Sequence, residues 1–279
     1  MNEFTVPVTA DYEGPSGVVH LDAGLYQEYT PPPPPQTNPL FDAIPANTTI
    51  YMGDYLPAAL AGCVAVSQSI AAYSRITRDD MHNCMLMFGG GHAATPRTDV
   101  DRLDMAAANP IWMPDYAPTP VVELTVANLD SATGGWITTR HPMARHSYDM
   151  MPFAPNKGEL ILLRSPDPQP SCQEAFLYQN YKGGIWHYNP VTASWSVGPA
   201  IPFWPGYPAA EYDPISGKIV ILGKDGLYTY DPVSRVATQH QNTVRPDLSY
   251  AQNMVYCPND QKHYYVLPDG RVFEIALDR

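Results

Sequence analysis

The stretch Tyr212-Asp213-Pro214-Ile215-Ser216-Gly217-Lys218-Ile219-Val220-Ile221-Leu222 decides the fold. An aromatic residue leads into a turn of Asp, Pro and Gly, and an unbroken apolar, β-branched run follows. Two β-prone runs around a short polar turn make a β-hairpin. The same unit runs from Tyr73 through Asp79-Asp80 into Cys84-Met-Leu-Met-Phe88, and from Phe153 through Pro155-Asn156-Lys157-Gly158 into Leu160-Ile-Leu-Leu163. A fourth copy runs from Tyr256 through Pro258-Asn259 into His263-Tyr-Tyr-Val-Leu267. A second unit follows the later hairpins: an alternating aromatic strand, then Asn189-Pro190 or Asp231-Pro232, then a hydroxyl residue, Thr192 or Ser234. Asx side chains accept turn N–H groups and Pro presets φ. In the first case Trp195 follows six positions after the Asn and is placed to pack back over its sheet. Each repeat thus holds about four strands, the content of one propeller blade.

The aromatic starts at 153, 212 and 256 lie 59 and 44 residues apart. The shorter spacing matches the period of propeller repeats, and the longer one implies a loop insertion near 166–180. Asn128 to Trp136 carries the same turn spacing and reads either as a degenerate blade or as a decorated loop. The last strand, Val272 to Leu277, ends where a fourth strand of its blade is due. Residues 48–53 suit that role and would close the ring, removing a sheet edge; otherwise the chain is part of a longer propeller. The expectation is an all-β propeller of about four clear blades over 48–279, with more blades not excluded.

Residues 1–47 differ. Pro31 to Pro35 impose polyproline II, which makes no ladder hydrogen bonds. This segment reads as an extended arm, either a loosely held tail or an attachment to a neighbouring protein subunit.

The composition is consistent with this. Hydrophobic residues are 44% of the chain and charged residues 16%, which supports a large core, while 31 prolines and 19 tyrosines favour short strands between turns. A net charge of −12 opposes a nucleic-acid backbone. The apolar stretch 56–73 is interrupted by Ser67, Gln68 and Ser69, too short and polar to span a bilayer. The opening residues lack the pattern of a Sec signal, so a cytoplasmic or virion location is expected. The four separated cysteines are expected to be mostly reduced thiols.

Two strings sharpen the family. Phe88-Gly89-Gly90-Gly91-His92 ends one strand with glycines that permit close backbone approach and positive φ. Arg145-His146-Ser147-Tyr148-Asp149 opens the next repeat. Together they resemble kelch or galactose-oxidase-like propellers of bacteria and tailed phages, although Leu222-Gly223 has one glycine and Leu163-Arg164 none. The resemblance implies a binding or assembly role, virion-associated in phage. Its alternative is a copper enzyme, with His92, His146, Tyr148 and Tyr250 as the histidines and tyrosines nearest the axis, or another carbohydrate-active enzyme.

Candidate ligand-binding residues are His92, Arg145 and His146 at the channel mouth, with Tyr148 beside them. The same residues would equally satisfy backbone carbonyls where blades converge. Trp204 and Tyr207, in the loop 203–208, are candidates for stacking on a sugar or anchoring a protein. Trp186, Tyr188 and Trp195 are expected in inter-blade core. Asp99, Asp101 and Asp104 read as a solvated hairpin. There is no Ser-His-Asp order, P-loop, dinucleotide fingerprint or HExxH, so no catalytic residue, metal or cofactor is assigned. A non-enzymatic module that binds a protein or a glycan is the resulting expectation.

Overall fold

The computed structural model describes residues 13–14, 17–18, 38, 43–46, 48, 74–89, 98–108, 110–163, 184–200, 208–223, 226–241 and 252–277. Cα packing divides the chain into residues 1–34 and residues 35–279. In the first unit, β1 (Glu13–Gly14) pairs antiparallel with β2 (Gly17–Val18).

The second unit is a four-bladed propeller. The first sheet is β3 (Ile76–Asp79), β4 (Cys84–Phe88), β5 (Val100–Asp104) and β6 (Trp112–Pro114), each strand antiparallel to the next. A small hairpin follows, β7 (Leu129–Asp130) with β8 (Gly135–Trp136). The second sheet is β9 (Phe153–Ala154), β10 (Glu159–Leu162), β11 (Gly184–Asn189) and β12 (Ser194–Ala200). The third is β13 (Ala209–Asp213), β14 (Lys218–Gly223), β15 (Gly226–Asp231) and β16 (Val236–Gln241). The fourth holds β17 (Asn253–Cys257), β18 (Lys262–Val266) and β19 (Val272–Ile275), three strands among the described residues. All four sequence hairpins are present, and the 128–136 motif is a two-stranded hairpin rather than a blade. Closure by 48–53, the insertion near 166–180 and the polyproline run lie outside the described residues, apart from Thr48.

The turns obey one local rule. The residue ending the first strand accepts backbone N–H groups two or three positions on, as Asp79 does from Met81 and His82, Asn189 from Val191 and Thr192, and Asp231 from Val233 and Ser234. At the fifth position φ is positive, and its N–H returns to the first carbonyl, as from Gly217 to Asp213 and from Arg235 to Asp231 at 2.9 and 2.8 Å. Side-chain capping and chain reversal are therefore encoded within five residues.

Packing lies between blades. On β10, Leu160 and Leu162 face the first sheet, joining Leu86, Phe88 and Tyr188, while Ile161 faces the third, joining Ile219, Ile221 and Tyr230. On β14, Ile219 and Ile221 turn one way, and Val220 turns the other to meet Met254, Tyr265 and Leu267 of the fourth sheet. Such strands are buried on both faces, which is why 160–163 and 219–222 read as continuous apolar runs rather than alternating ones. Trp186 and Tyr188 are buried and Trp195 is partly buried, all in the core between the first two sheets, as the sequence indicates. Asp99 and Asp101 depart from expectation. Both are buried rather than solvated, and only Asp104 stays exposed, capping its own turn through Ala106.

Two substitutions check this. Ala193 holds φ at 48° in the turn before β12, so Ala193→Gly should stabilise the protein by about 0.5–1 kcal/mol in chemical denaturation. Gly89 has φ 71°, and a Cβ there would sit 2.2 Å from the Arg145 carbonyl oxygen. Gly89→Ala should therefore cost about 2–4 kcal/mol in the same measurement.

Candidate axial binding site

The innermost strands β3, β9, β13 and β17 converge, and the segment 145–149 runs between their ends. Asp149 ties them together. Its Oδ1 accepts from Arg75 Nη1 at 2.7 Å, and its Oδ2 from the Met254 N–H at 2.7 Å. Its carbonyl accepts the Ala210 N–H at 2.9 Å. Arg75 spans further, giving Nη2 to Glu211 Oε2 at 2.7 Å and Nη1 to the Ala210 carbonyl at 2.8 Å. Ser147 adds a bond to the Phe88 carbonyl and accepts the Arg75 N–H. Four residues far apart in sequence, 75, 149, 211 and 254, are thus joined around one carboxylate.

Beside this cluster opens a cavity of about 610 Å³, lined among others by Ser74, Tyr148, Glu211, Gln252 and Asn253. The first strands of three blades supply its walls, so it lies at the convergence of the ring. Tyr148 holds a positive φ of 37°, an unusual backbone state for a bulky side chain. Its hydroxyl bonds His146 Nδ1 at 2.9 Å, and the two rings meet edge to face at 5.2 Å.

The sequence candidates divide. Tyr148 lines the cavity, and His146 is buried against it. Arg145 is fully buried, and its Nε and Nη2 donate to the carbonyls of Met143 and Gly134 at 3.0 and 3.2 Å, the backbone-satisfying arrangement. His92, Trp204 and Tyr207 lie outside the described residues, as does Tyr250. Cys84 and Cys257 are free thiols. Among the described residues no group of three or more His, Cys, Asp or Glu is arranged to hold a metal ion, and no helix is long and apolar enough to cross a membrane. Arg75 and Glu211 are not candidates from sequence, and Asp149 enters there only as the last residue of the 145–149 string. Their only local signal is a charged residue at or just before an innermost strand.

Burial pushes the Asp149 carboxyl up to about 7, against the opposing pull of the Arg75 guanidinium and the Met254 N–H. Folded Asp149 therefore binds its proton at higher pH than unfolded Asp149, whose pKa is about 3.9. The stability this confers is fully present below about pH 4 and is lost as pH rises through about 7. Wild-type protein should lose stability relative to Asp149→Asn across that interval, by at most about 1.4 kcal/mol per pH unit. Thermal melts of both proteins from pH 4 to 8 check this, and parallel curves would refute it.

No family model matches the chain, and no curated protein matches it. Among solved structures it is similar to a structural genomics protein of unknown function from Bacteroides thetaiotaomicron VPI-5482, at 11% identity and a TM-score of 0.41, over 68% of this chain and 41% of that one. It is also similar to an auxiliary nutrient binding protein from Bacteroides ovatus ATCC 8483, at 11% identity and a TM-score of 0.40, over 70% of this chain and 36% of that one. The chain spans about two-fifths of the length of the solved structures it matches.

Proposed function

We propose that this protein is a non-enzymatic recognition propeller that holds a partner at its axial cavity and loops without transforming it. The observation that carries this reading is the engagement of the axial carboxylates. Both oxygens of Asp149 accept bonds from the protein, and Glu211 accepts from Arg75 through Oε2 and from the Tyr212 N–H through Oε1. A general base must reach the proton it abstracts with an available lone pair. Here the charged groups join blades, and the cavity offers a shaped wall edged by Tyr148, Gln252 and Asn253. The same reading extends to residues 1–47 as an attachment to a protein subunit, in the manner of the virion-associated propellers the sequence resembles.

Asn253 is exposed at the cavity. In Asn253→Trp, the bulky ring should abolish capture of the partner or glycan while leaving the melting temperature within about 2 °C of wild type. The captured ligand should be recovered chemically unchanged by mass spectrometry. Stoichiometric copper in the purified protein, with hydrogen peroxide released from a sugar alcohol, would overturn the reading.

A further inference from the structure

A second groove, sharing no lining residue with the axial cavity, opens where hairpin β7–β8 leans on β11 and β12. Its volume is about 730 Å³, within the range of small-molecule sites. The groove is held in shape by its own bonds. The Thr133 carbonyl accepts from Trp186 Nε1 at 3.0 Å and from the Gly184 N–H at 3.1 Å. A Cβ at Gly135 would lie 2.4 Å from the Trp186 ring, so only glycine lets the hairpin close on that indole. Trp195, partly buried, is braced edge-on by Phe88 at 5.1 Å and by Trp186 at 6.4 Å. Ile137 and Val197 add exposed apolar surface, 56% and 38% accessible.

The polar groups of this groove differ from those at the axis. Asp130 is turned into its own hairpin, accepting from the Ala132 N–H and from Thr133 Oγ1. Ser131 is exposed on the groove's edge, whereas the Ser196 hydroxyl accepts from Arg235 Nη2 at 2.8 Å on the opposite face of β12. Arg140 stands exposed on the rim, and its guanidinium makes no ion pair with any described residue. In a chain of net charge −12, a guanidinium with no ion pair among the described residues, set beside indole and aliphatic surface, favours an anionic ligand with an apolar face.

We infer that this groove binds an acidic saccharide. The sugar ring lies against Trp195, Ile137 and Val197, its hydroxyls meet Ser131, and its carboxylate meets Arg140. A peptide adding as a strand to β12 is disfavoured. Arg235, from the neighbouring blade, already donates to the Val197 carbonyl at 3.1 Å and to Ser196 Oγ at 2.8 Å, covering that edge.

The inference does not rest on the axial reading, and its test is separate. Full-length protein is titrated by calorimetry with trigalacturonate against its methyl ester, and with sialyllactose against lactose. At least one acidic probe should bind with Kd below about 1 mM, its neutral counterpart about tenfold more weakly. Arg140→Gln should weaken the acidic probe about tenfold at an unchanged melting temperature, and Asn253→Trp should leave it unaffected. Failure of both acidic probes to bind, or equal binding by wild type and Arg140→Gln, would overturn the inference. So would preferential capture of extended peptides by the same groove.

Discussion

A single buried carboxylate organises the ring. Asp149 is 3% exposed, yet it gathers the guanidinium of Arg75 from the first blade, the Met254 N–H from the fourth and, through its carbonyl, the Ala210 N–H from the third. It lies on the segment that leads into the second blade, so every blade is fixed relative to one residue. Desolvating a carboxylate is costly unless charge and hydrogen bonds replace the lost water. Here the replacement comes from three separate elements, so the carboxylate is satisfied only when the blades are assembled. That coupling makes the contact a determinant of ring geometry, although ionising this buried carboxyl costs stability as pH rises.

Around this centre, apolar burial supplies the bulk of the cohesion and polar pairs set its register. Each adjoining pair of blades from first to fourth combines an apolar cluster with a carboxylate facing an aromatic or imidazole partner. Tyr188 donates to Asp115 Oδ2 at 2.6 Å between the first two blades. His187 bridges Glu159 at 2.8 Å and the Tyr230 hydroxyl at 2.6 Å between the second and third. Between the third and fourth, Asp213 Oδ1 and His263 Nε2 are both fully buried and face each other at 3.6 Å, beyond hydrogen-bond distance. Burial pulls the His187 imidazole below its usual range. Sliding one blade on the next would leave Tyr188, Asp115, His187 and Tyr230 without these bonds in an apolar setting, which restricts the packing to one register.

That rigidity bears on recognition. A frame whose ionisable groups are consumed internally presents cavities and loops of fixed shape, and positioned surfaces lose little conformational entropy on binding. The axial cavity and the rim groove use the frame differently. The first is walled by strands that must converge for the ring to exist. The second exists because an extra hairpin, 129–136, lies over the second blade.

What the sequence determined by itself is the local content. The Asx turns at Asp79, Asn189, Asp213 and Asp231 and the doubly buried runs 160–163 and 219–222 are written within windows of five to ten residues. For that reason the hairpins, the blade content and the inter-blade place of Trp186, Tyr188 and Trp195 were legible. The burial of Asp99 and Asp101 was not, since their surroundings come from outside their own turn. Nor were the roles of Arg75, Asp149 and Glu211, because nothing local separates a charge that ties blades together from one that faces solvent. Only the tertiary structure decided them, by converging the first strands of the blades and bringing residues 75, 149, 211 and 254 together through hydrogen bonds.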